Sequence, residues 1–514
     1  MMYNNFISFR HTLSLTLSLT IALFLAWFRK SLRLYHTVDH LHTKKSYLNE
    51  IKQHNATTTT TLTPNIILIL ADDLGYSDLT SHGSKSIHTP HLDQLASTGI
   101  LHTQFTTTAS VCTPSRASFL TGRYPPRTGV AGIVLFPPQH PISYITNSLL
   151  GYPQGLLPDE LTIADVLKSI GYKTYYIGKW HLGAVQGHLP RDFGYESYYG
   201  SLYSNDMSPF DLWSNETIDV THSHINQSLV TTIYSLKIIN LLATHPKNKP
   251  FFLTYAPNAP HAPLYSSRHG QSMGGLYGDV VEEMDASVGV LMKKLTEMEV
   301  VENTLIMFSS DNGPWFEGDA GNRRGRKATS FSGGYRVPLI VSWPMKRTKG
   351  IIIDSPVQNV DVFRTILSIC NVKLPMDRMI DGVDQSLLWF GSEKEKKKER
   401  EKKNEKDKEN ENERMLPYFV QNSLVAARFG ERWKLHLSHM IDVSEIIRRR
   451  PMAIEEEIGK KKKWMWLTDM SIDERESYDV SNKYFLIGER LYNKVMEWNI
   501  DLVSNPRGWL VLEE

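Results

Sequence analysis

Two pairs of oxygen-bearing side chains stand directly behind apolar runs: Asp72 and Asp73 after residues 65–71, and Asp311 and Asn312 after residues 304–310. In an open α/β sheet, ligands gather just beyond the carboxyl ends of the strands. Three carboxylates and an amide brought together there repel one another unless a cation sits between them, and an all-oxygen set suits Ca²⁺ or Mg²⁺. Either pair alone would serve as turn or cap residues, whereas two pairs at two strand ends favour a metal. A second reactive stretch is Ser110-Val-Cys112-Thr-Pro114-Ser-Arg116-Ala-Ser-Phe-Leu-Thr-Gly122-Arg123. Pro114 suits the first turn of a helix that Gly122 ends. Cys112 then falls at the helix N-terminus, where the dipole and free backbone N–H groups attract anions. Arg116 adds a planar fork suited to oxyanions. The bland alternative for Cys112 is a small buried hydrophobe.

The elements that must position these groups alternate. The run 65–71 is continuously apolar, as expected for a strand buried on both faces of a parallel sheet. Segments 90–97 and 162–170 read as helices, the first stopped by Gly99, the second opened by a capping box with Asp165 and ended by Gly171. Residues 173–177, 251–255, 304–309 and 338–342 read as strands, with a long amphipathic helix over 277–298. Alternation of this kind predicts an α/β fold, a large mostly parallel sheet flanked by helices. Residues 416–427 and 431–437 alternate as antiparallel strands do, so a smaller C-terminal α+β unit is expected. The domain reading is 1–30 signal peptide or membrane anchor, 31–63 linker, 64–375 catalytic domain, and 376–514 C-terminal subdomain with a charged insertion at 393–414.

Composition narrows the function classes. Of 514 residues, 57 are Lys or Arg and 55 are Asp or Glu, a net charge of +2, which offers no global field for nucleic acid. A hydrophobic share of 41% excludes disorder, and two cysteines, Cys112 and Cys370, exclude a disulfide scaffold or a Cys-rich zinc module. Residues 12–28 are apolar or hydroxyl-bearing and flanked by Arg10, Arg29 and Lys30, which reads as a signal h-region or short anchor. Sequons at Asn55, Asn215 and Asn226 agree with secretory entry. The insertion 393–414 carries ten basic and nine acidic residues and no apolar one, so it reads as a solvated excursion. Basic clusters at 448–450 and 460–463 read as surface loop.

The pattern Cys-x-Pro-Ser-Arg followed by Thr-Gly-Arg, between Cys112 and Arg123, resembles the formylglycine-dependent sulfatase family, and the likeness extends from about residue 65 to 382. The resemblance implies an alkaline-phosphatase-like fold and hydrolysis of sulfate monoesters on sulfated carbohydrates or glycolipids. It implies oxidation of Cys112 to formylglycine by the formylglycine-generating enzyme, the aldehyde hydrate acting as nucleophile. Asp72, Asp73, Asp311 and Asn312 then resemble the ligands of one Ca²⁺, with residue 112 beside them. Gly178-Lys179-Trp-His181-Leu-Gly183 matches a family motif in which Lys179 and His181 hold the sulfate and the formylglycine. His261, in Ala259-Pro-His261-Ala-Pro, stands where the family keeps its leaving-group acid. Lys327, ahead of Gly333-Gly334-Tyr-Arg336-Val-Pro338, resembles the second sulfate-binding lysine, and Ser204 an active-site serine. A lysosomal or extracellular location follows from the same likeness. One departure is Ser332, where the family usually has Glu, which predicts weaker support for the Lys327 loop. The competing readings are a phosphomonoester or phosphodiester hydrolase of the same superfamily and a non-catalytic glycan-binding protein.

Overall fold

Alternate apolar positions on both faces of one strand require cover on both sides of its sheet. The computed structural model describes residues 40–55, 63–132, 134–149, 151–346, 350–392, 394–396, 414–438 and 465–510. Its first strand, β1 (Asn65–Ala71), meets that requirement: Ile66, Leu68 and Leu70 enter one hydrophobic core and Ile67, Ile69 and Ala71 the other. The chain continues through β2 (Ile100–His102), β3 (Phe105–Thr106), β4 (Lys173–Gly178), β5 (Ser197–Gly200), β6 (Leu212–Ser214), β7 (Thr217–Val220), β8 (Phe251–Ala256) and β9 (Thr304–Ser310). Then follow β10 (Leu339–Ser342), β11 (Ile351–Ile353), β12 (Val357–Gln358), β13 (Met415–Val420), β14 (Ser423–Phe429), β15 (Trp433–His436) and β16 (Trp466–Asp469). Ten of these form one sheet in the order β11-β2-β10-β9-β1-β8-β4-β5-β6-β7.

The centre of that sheet is parallel. β1 pairs with β8 and β9, and β4 with β8 and β5, all in the same direction. β10 runs antiparallel to β9 because the connection 311–338 contains only the 3₁₀ turn Ser332–Gly334 and no helix to carry the chain across the sheet. Helix Gly275–Glu297 covers one face through Val281, Met284, Val288, Leu291 and Leu295. Helices Cys112–Thr121, Ile163–Ser169 and Asp361–Ile369 cover the other. The capping box at Thr162 and Asp165 is formed as the sequence pattern predicts.

β13 to β16 make a separate four-stranded antiparallel sheet on which helix Phe485–Ser504 packs through Leu491, Val495 and Leu502. This unit is stitched to the two-stranded pair β3–β12 and the segment after β3 by Phe419 N to Thr108 O (2.8 Å) and Gln358 Nε2 to Pro417 O (3.0 Å). Residues 40–55, inside the stretch read as a linker, are instead helical and docked. Ile51 is buried, Lys44 bonds Glu160 O at 2.6 Å and pairs with Asp165 at 2.9 Å, and Thr43 donates to Asp377 at 2.7 Å. Tyr47, Leu48 and Ile51 pack on the core with Lys44 at helical spacing, a periodicity that composition alone does not reveal. Residues 12–28, the basic clusters at 448–450 and 460–463, and nearly all of 393–414 lie outside the described residues. Arg414, at the last position of the charged stretch, is anchored on the buried Asp361 at 2.8 Å. No described helix is long and apolar enough to cross a membrane.

Candidate active site

Register brings the expected residues to one edge. Ala71 pairs with Ser310 at the ends of β1 and β9, so Asp72 and Asp311 emerge side by side. Asp311 N bonds Ala71 O and Asp72 N bonds Ala259 O, both at 3.0 Å, which draws in the segment after β8. β4 ends level with β8, and Lys179 N bonds Ala256 O at 2.7 Å. Gly178 has φ +117°, and a Cβ there would lie 1.9 Å from Ala256 O, so only glycine permits this strand exit. Across the end of the sheet lies helix Cys112–Thr121, wholly buried, with Cys112 in its first turn and Gly122 ending it at φ +67°.

The side chains converge as a charged cluster. Lys179 Nζ sits 2.7 and 2.9 Å from the Asp72 carboxylate and donates to Ser204 Oγ at 3.1 Å. Lys327 Nζ donates to Asp73 Oδ2 at 2.7 Å and to His261 Nε2 at 3.1 Å. Because a lysine ammonium only donates, Nε2 is the accepting nitrogen and Nδ1–H faces Ala262 O. Ser204 Oγ lies 3.2 Å from His261 Nε2, and Asn312 Nδ2 donates to Asp73 Oδ1 at 2.7 Å. Cys112 Sγ is 3.5 Å from Asp72 Oδ1 and 3.9 Å from Asp73 Oδ1.

Arg116 plays a part that the sequence did not show. Its Nε bonds Asp311 Oδ2 at 2.8 Å, Nη1 bonds Lys179 O at 2.7 Å, and Nη2 lies 3.5 Å from Asp72. Two of the fork's nitrogens are thus bonded, to a carboxylate and a strand-exit carbonyl, while the buried Nη2 has no hydrogen-bond partner among the described residues. His181 Nε2 donates to Leu135 O at 2.9 Å, and Thr113, next to Cys112, donates to His181 O at 3.1 Å. Its buried Nδ1 has no hydrogen-bond partner among the described residues. Asp73, His181 and Ala328, which follows Lys327, all have left-handed backbone, φ +64°, +57° and +68°. Non-glycine residues held this way mark functional turns more often than ordinary ones.

Electrostatics follow from burial against pairing. Burial opposes charge on Asp72, but Lys179, then His261, Arg116 and Lys327, hold its carboxyl well below the usual range. Burial pushes Asp311 up to about 6 despite Arg116, with Asp72 and Asp73 adding repulsion. Burial lowers His261, and Lys327 lowers it further. The Cys112 thiol is pushed far up by burial, so it carries no thiolate at neutral pH and is a poor nucleophile as cysteine. Asn312 Oδ1 is buried without a hydrogen-bond partner among the described residues, and ligand atoms of Asp72, Asp73, Cys112 and His261 lie within 4.8 Å of one another. Crowded carboxylates with an unsatisfied amide oxygen fit a hard divalent cation.

Some contributors had no motif. Asn359 accepts from Thr108 N and donates to Ser115 O, seating the Cys112 helix. Asp78 accepts from Gly75 N, Asp319 N and Tyr277 Oη, tying two site loops together. Glu476, fully buried in the C-terminal unit, accepts from Ser332 N at 2.6 Å and pairs with Lys434 at 2.7 Å and His436 at 2.8 Å. The weak support predicted from Ser332 is therefore not what the structure has: a carboxylate from a distant segment holds that turn. Lys327 itself is set by its N–H on Pro314 O (2.9 Å) and by Ala328 N on Ser110 O (2.8 Å).

A mostly parallel sheet whose strand-end carboxylates face a helix-borne cysteine between two lysines defines a family, and the chain belongs to it: the sulfatases, whose profile matches residues 64–372. The chain is 35% identical over 345 residues to N-acetylgalactosamine-6-sulfatase of Mus musculus, covering 62% of this chain and 65% of that protein. It is 34% identical over 370 residues to arylsulfatase A of Homo sapiens, covering 65% and 69%. The match thus spans just under two thirds of the length of the mouse relative. The crystal structure of the PsFucS1 sulfatase from Pseudoalteromonas sp. superposes with a TM-score of 0.69 at 22% identity, over 91% of this chain and 95% of that one, which shows the shared fold.

Proposed function

We propose that the protein hydrolyses sulfate monoesters to an alcohol and inorganic sulfate. The observation that carries this reading is the meeting of Asp72, Asp73, Asp311 and Asn312 with Cys112 between Lys179 and Lys327. Asp72, Asp73, Asp311, Asn312 and residue 112 would hold Ca²⁺, which supplies positive charge against the sulfate oxygens. Oxidised to formylglycine by the generating enzyme, residue 112 would add water, and the hydroxyl of that hydrate would be an oxygen nucleophile where the buried thiol supplies none.

The chain's own groups have separable parts. Lys179 and Lys327, each held charged by an aspartate, flank the cluster and attract the sulfate oxygens from two sides. Arg116 fixes Asp311 and Asp72 in place. Ser204 orients Lys179 and His261. His261 delivers the proton that the departing alkoxide needs, and His181 serves as second base. Sulfated glycans or glycolipids are the substrates that the relatives' names suggest. Secretory passage, to the lysosome or the cell exterior, agrees with the exposed sequon residue Asn226.

The test is a side-by-side assay of nitrocatechol sulfate, the matching phosphate and sulfated saccharides, on protein made in cells containing the formylglycine-generating enzyme. Sulfate turnover exceeding phosphate turnover is expected, together with an aldehyde on residue 112 by peptide mass spectrometry, and Cys112→Ala should abolish turnover while the fold persists. Faster phosphate hydrolysis would favour the phosphatase alternative; an unmodified thiol in active protein would sink the mechanism.

A further inference from the structure

Beside the reacting cluster a wide cleft of about 1000 Å³ opens over the loop that carries Lys327. Its wall carries Arg323, Arg324, Arg326, Lys327 and Arg475, against the single carboxylate of Asp319. Two of these cations, Arg324 and Arg326, are held by carbonyls and a ring face, whereas Arg323 pairs with Glu474 and Lys327 with Asp73. Arg326 Nη1 donates to Gly318 O at 2.6 Å and Trp315 O at 2.8 Å, and Arg324 Nη1 to Glu476 O at 3.3 Å with its guanidinium 4.0 Å from the Phe331 ring centroid. Arg323 lies 4.1 Å over the Tyr76 ring and meets one carboxylate, that of Glu474, at 3.0 Å. Carbonyls and ring faces orient a guanidinium while leaving its charge, so binding an anion here orders little that is not already ordered. The same wall presents aromatic surface: Phe316 is 68% exposed, set edge-on to Trp315 at 4.9 Å. Lys327 belongs to both places, since its Nζ reaches Asp73 and His261 while its side chain lines the cleft.

We propose that this cleft is a second anion subsite, which takes a sulfate or carboxylate on the sugar next to the one that carries the scissile ester. The inference rests on the sulfatase reading and sharpens it: the substrate is a polyanionic oligosaccharide rather than a singly sulfated glycolipid, for which this array of cations has no use. Charge focused in a concave wall raises the local concentration of such a chain, and an exposed aromatic face suits a sugar ring beside it.

The experiment compares wild type, Arg475→Glu and Phe316→Ala on three probes: nitrocatechol sulfate, a chondroitin 6-sulfate tetrasaccharide, and the same tetrasaccharide with its carboxylates reduced. Arg475 and Phe316 are exposed, so neither change threatens the core. For Arg475→Glu, KM on the tetrasaccharide is expected to rise about tenfold or more at low salt with kcat nearly unchanged, while nitrocatechol sulfate is turned over as by wild type. If carboxylate reduction alone reproduces the rise, the subsite reads the uronate; if it does not, it reads the second sulfate. Equal kinetics of wild type and Arg475→Glu on the tetrasaccharide, or an equal loss on both ester probes, would overturn the subsite. If wild type cleaves no sulfate ester, the parent reading fails, and calorimetric binding of the tetrasaccharide to wild type and Arg475→Glu still decides the cleft: weaker binding by Arg475→Glu supports it and equal binding removes it.

Discussion

The floor and the rim of the pocket are built by different means. On the floor, Asp72, Asp311, Lys179 and Arg116 leave regular elements, and all are at most 1% exposed. Their relative positions follow from strand register and one helix, so each cation is pinned by a carboxylate that the sheet already fixes. On the rim, Lys327 stands on an irregular loop that is kept in shape by side chains from elsewhere, Asp78 below it and Glu476 across from the C-terminal unit. Placement is therefore fixed by the sheet in the floor and by remote side chains in the rim, while Lys327 in the rim is held charged as firmly as Lys179 in the floor. The lesson is that one site can combine a floor whose geometry the sheet fixes with a wall whose placement depends on a second structural unit.

The largest effect expected from this contrast lies in the two lysines. Lys179→Met removes the partner of a fully buried Asp72 and should cost about 3–5 kcal/mol of stability, besides lowering kcat/KM on aryl sulfate by about 10²- to 10³-fold. Lys327→Met should lower activity by a similar factor but stability by only about 1–2 kcal/mol. Asp73 keeps its Asn312 hydrogen bond, and the Lys327 side chain is 14% exposed where that of Lys179 is 0%. Denaturant unfolding of both variants checks the pair. Equal destabilisation would erase the distinction between floor and rim.

A smaller effect should follow from the rim's remote support. Glu476 is held well below the ordinary carboxylate range, burial being outweighed by Lys434 and His436, and its charge locks Ser332 N. Glu476→Gln should lower stability by roughly 2–3 kcal/mol and kcat/KM by about tenfold, since slight misplacement of a charged group is costly. Ser332→Glu introduced alongside Glu476→Gln returns a carboxylate to the same turn and should recover activity. If the single variant lowers only the melting temperature and leaves kcat intact well below it, Glu476 does not position the loop.

The same division explains what the sequence disclosed. Asp72, Asp73, Asp311 and Asn312 were legible because an apolar run followed at once by acids has one strong physical meaning in a parallel sheet, and Cys112 because Pro114 and Gly122 bracket a short helix. The sheet's parallel core was legible from β1 and β9 for that reason. Arg116 was read as an anion fork, and only the packed structure shows that its Nε is already bonded to Asp311 while Nη2 has no hydrogen-bond partner among the described residues. Glu476, Asn359 and Asp78 act through contacts separated by up to hundreds of residues, and nothing in the residues around them differs from ordinary loop. Helix 40–55 docks through a helical-period stripe, Lys44, Tyr47, Leu48 and Ile51, a signal that was present in the sequence and passed over because the neighbouring residues are polar.

The smallest effect separates a histidine of the sheet from one of the rim. His102, on β2, is fully buried, neither ring nitrogen has a hydrogen-bond partner among the described residues, and burial lowers its pKa to about 3. Unfolded, it would bind a proton near pH 6.5, so between pH 6.5 and 3 the unfolded chain holds more protons and stability falls as pH falls. Acidification from pH 7.5 to 5 should then cost about 2 kcal/mol from this residue alone. His261 is lowered as well, by burial and Lys327; if it is the proton donor proposed above, it acts in its protonated form, and its contribution to turnover should grow over the same descent. His102→Leu should flatten the dependence of unfolding free energy on pH while leaving the pH profile of kcat/KM where it was. A parallel shift of both profiles would mean that the sheet and the rim titrate as one system, and that the independence of floor and rim does not extend to protons.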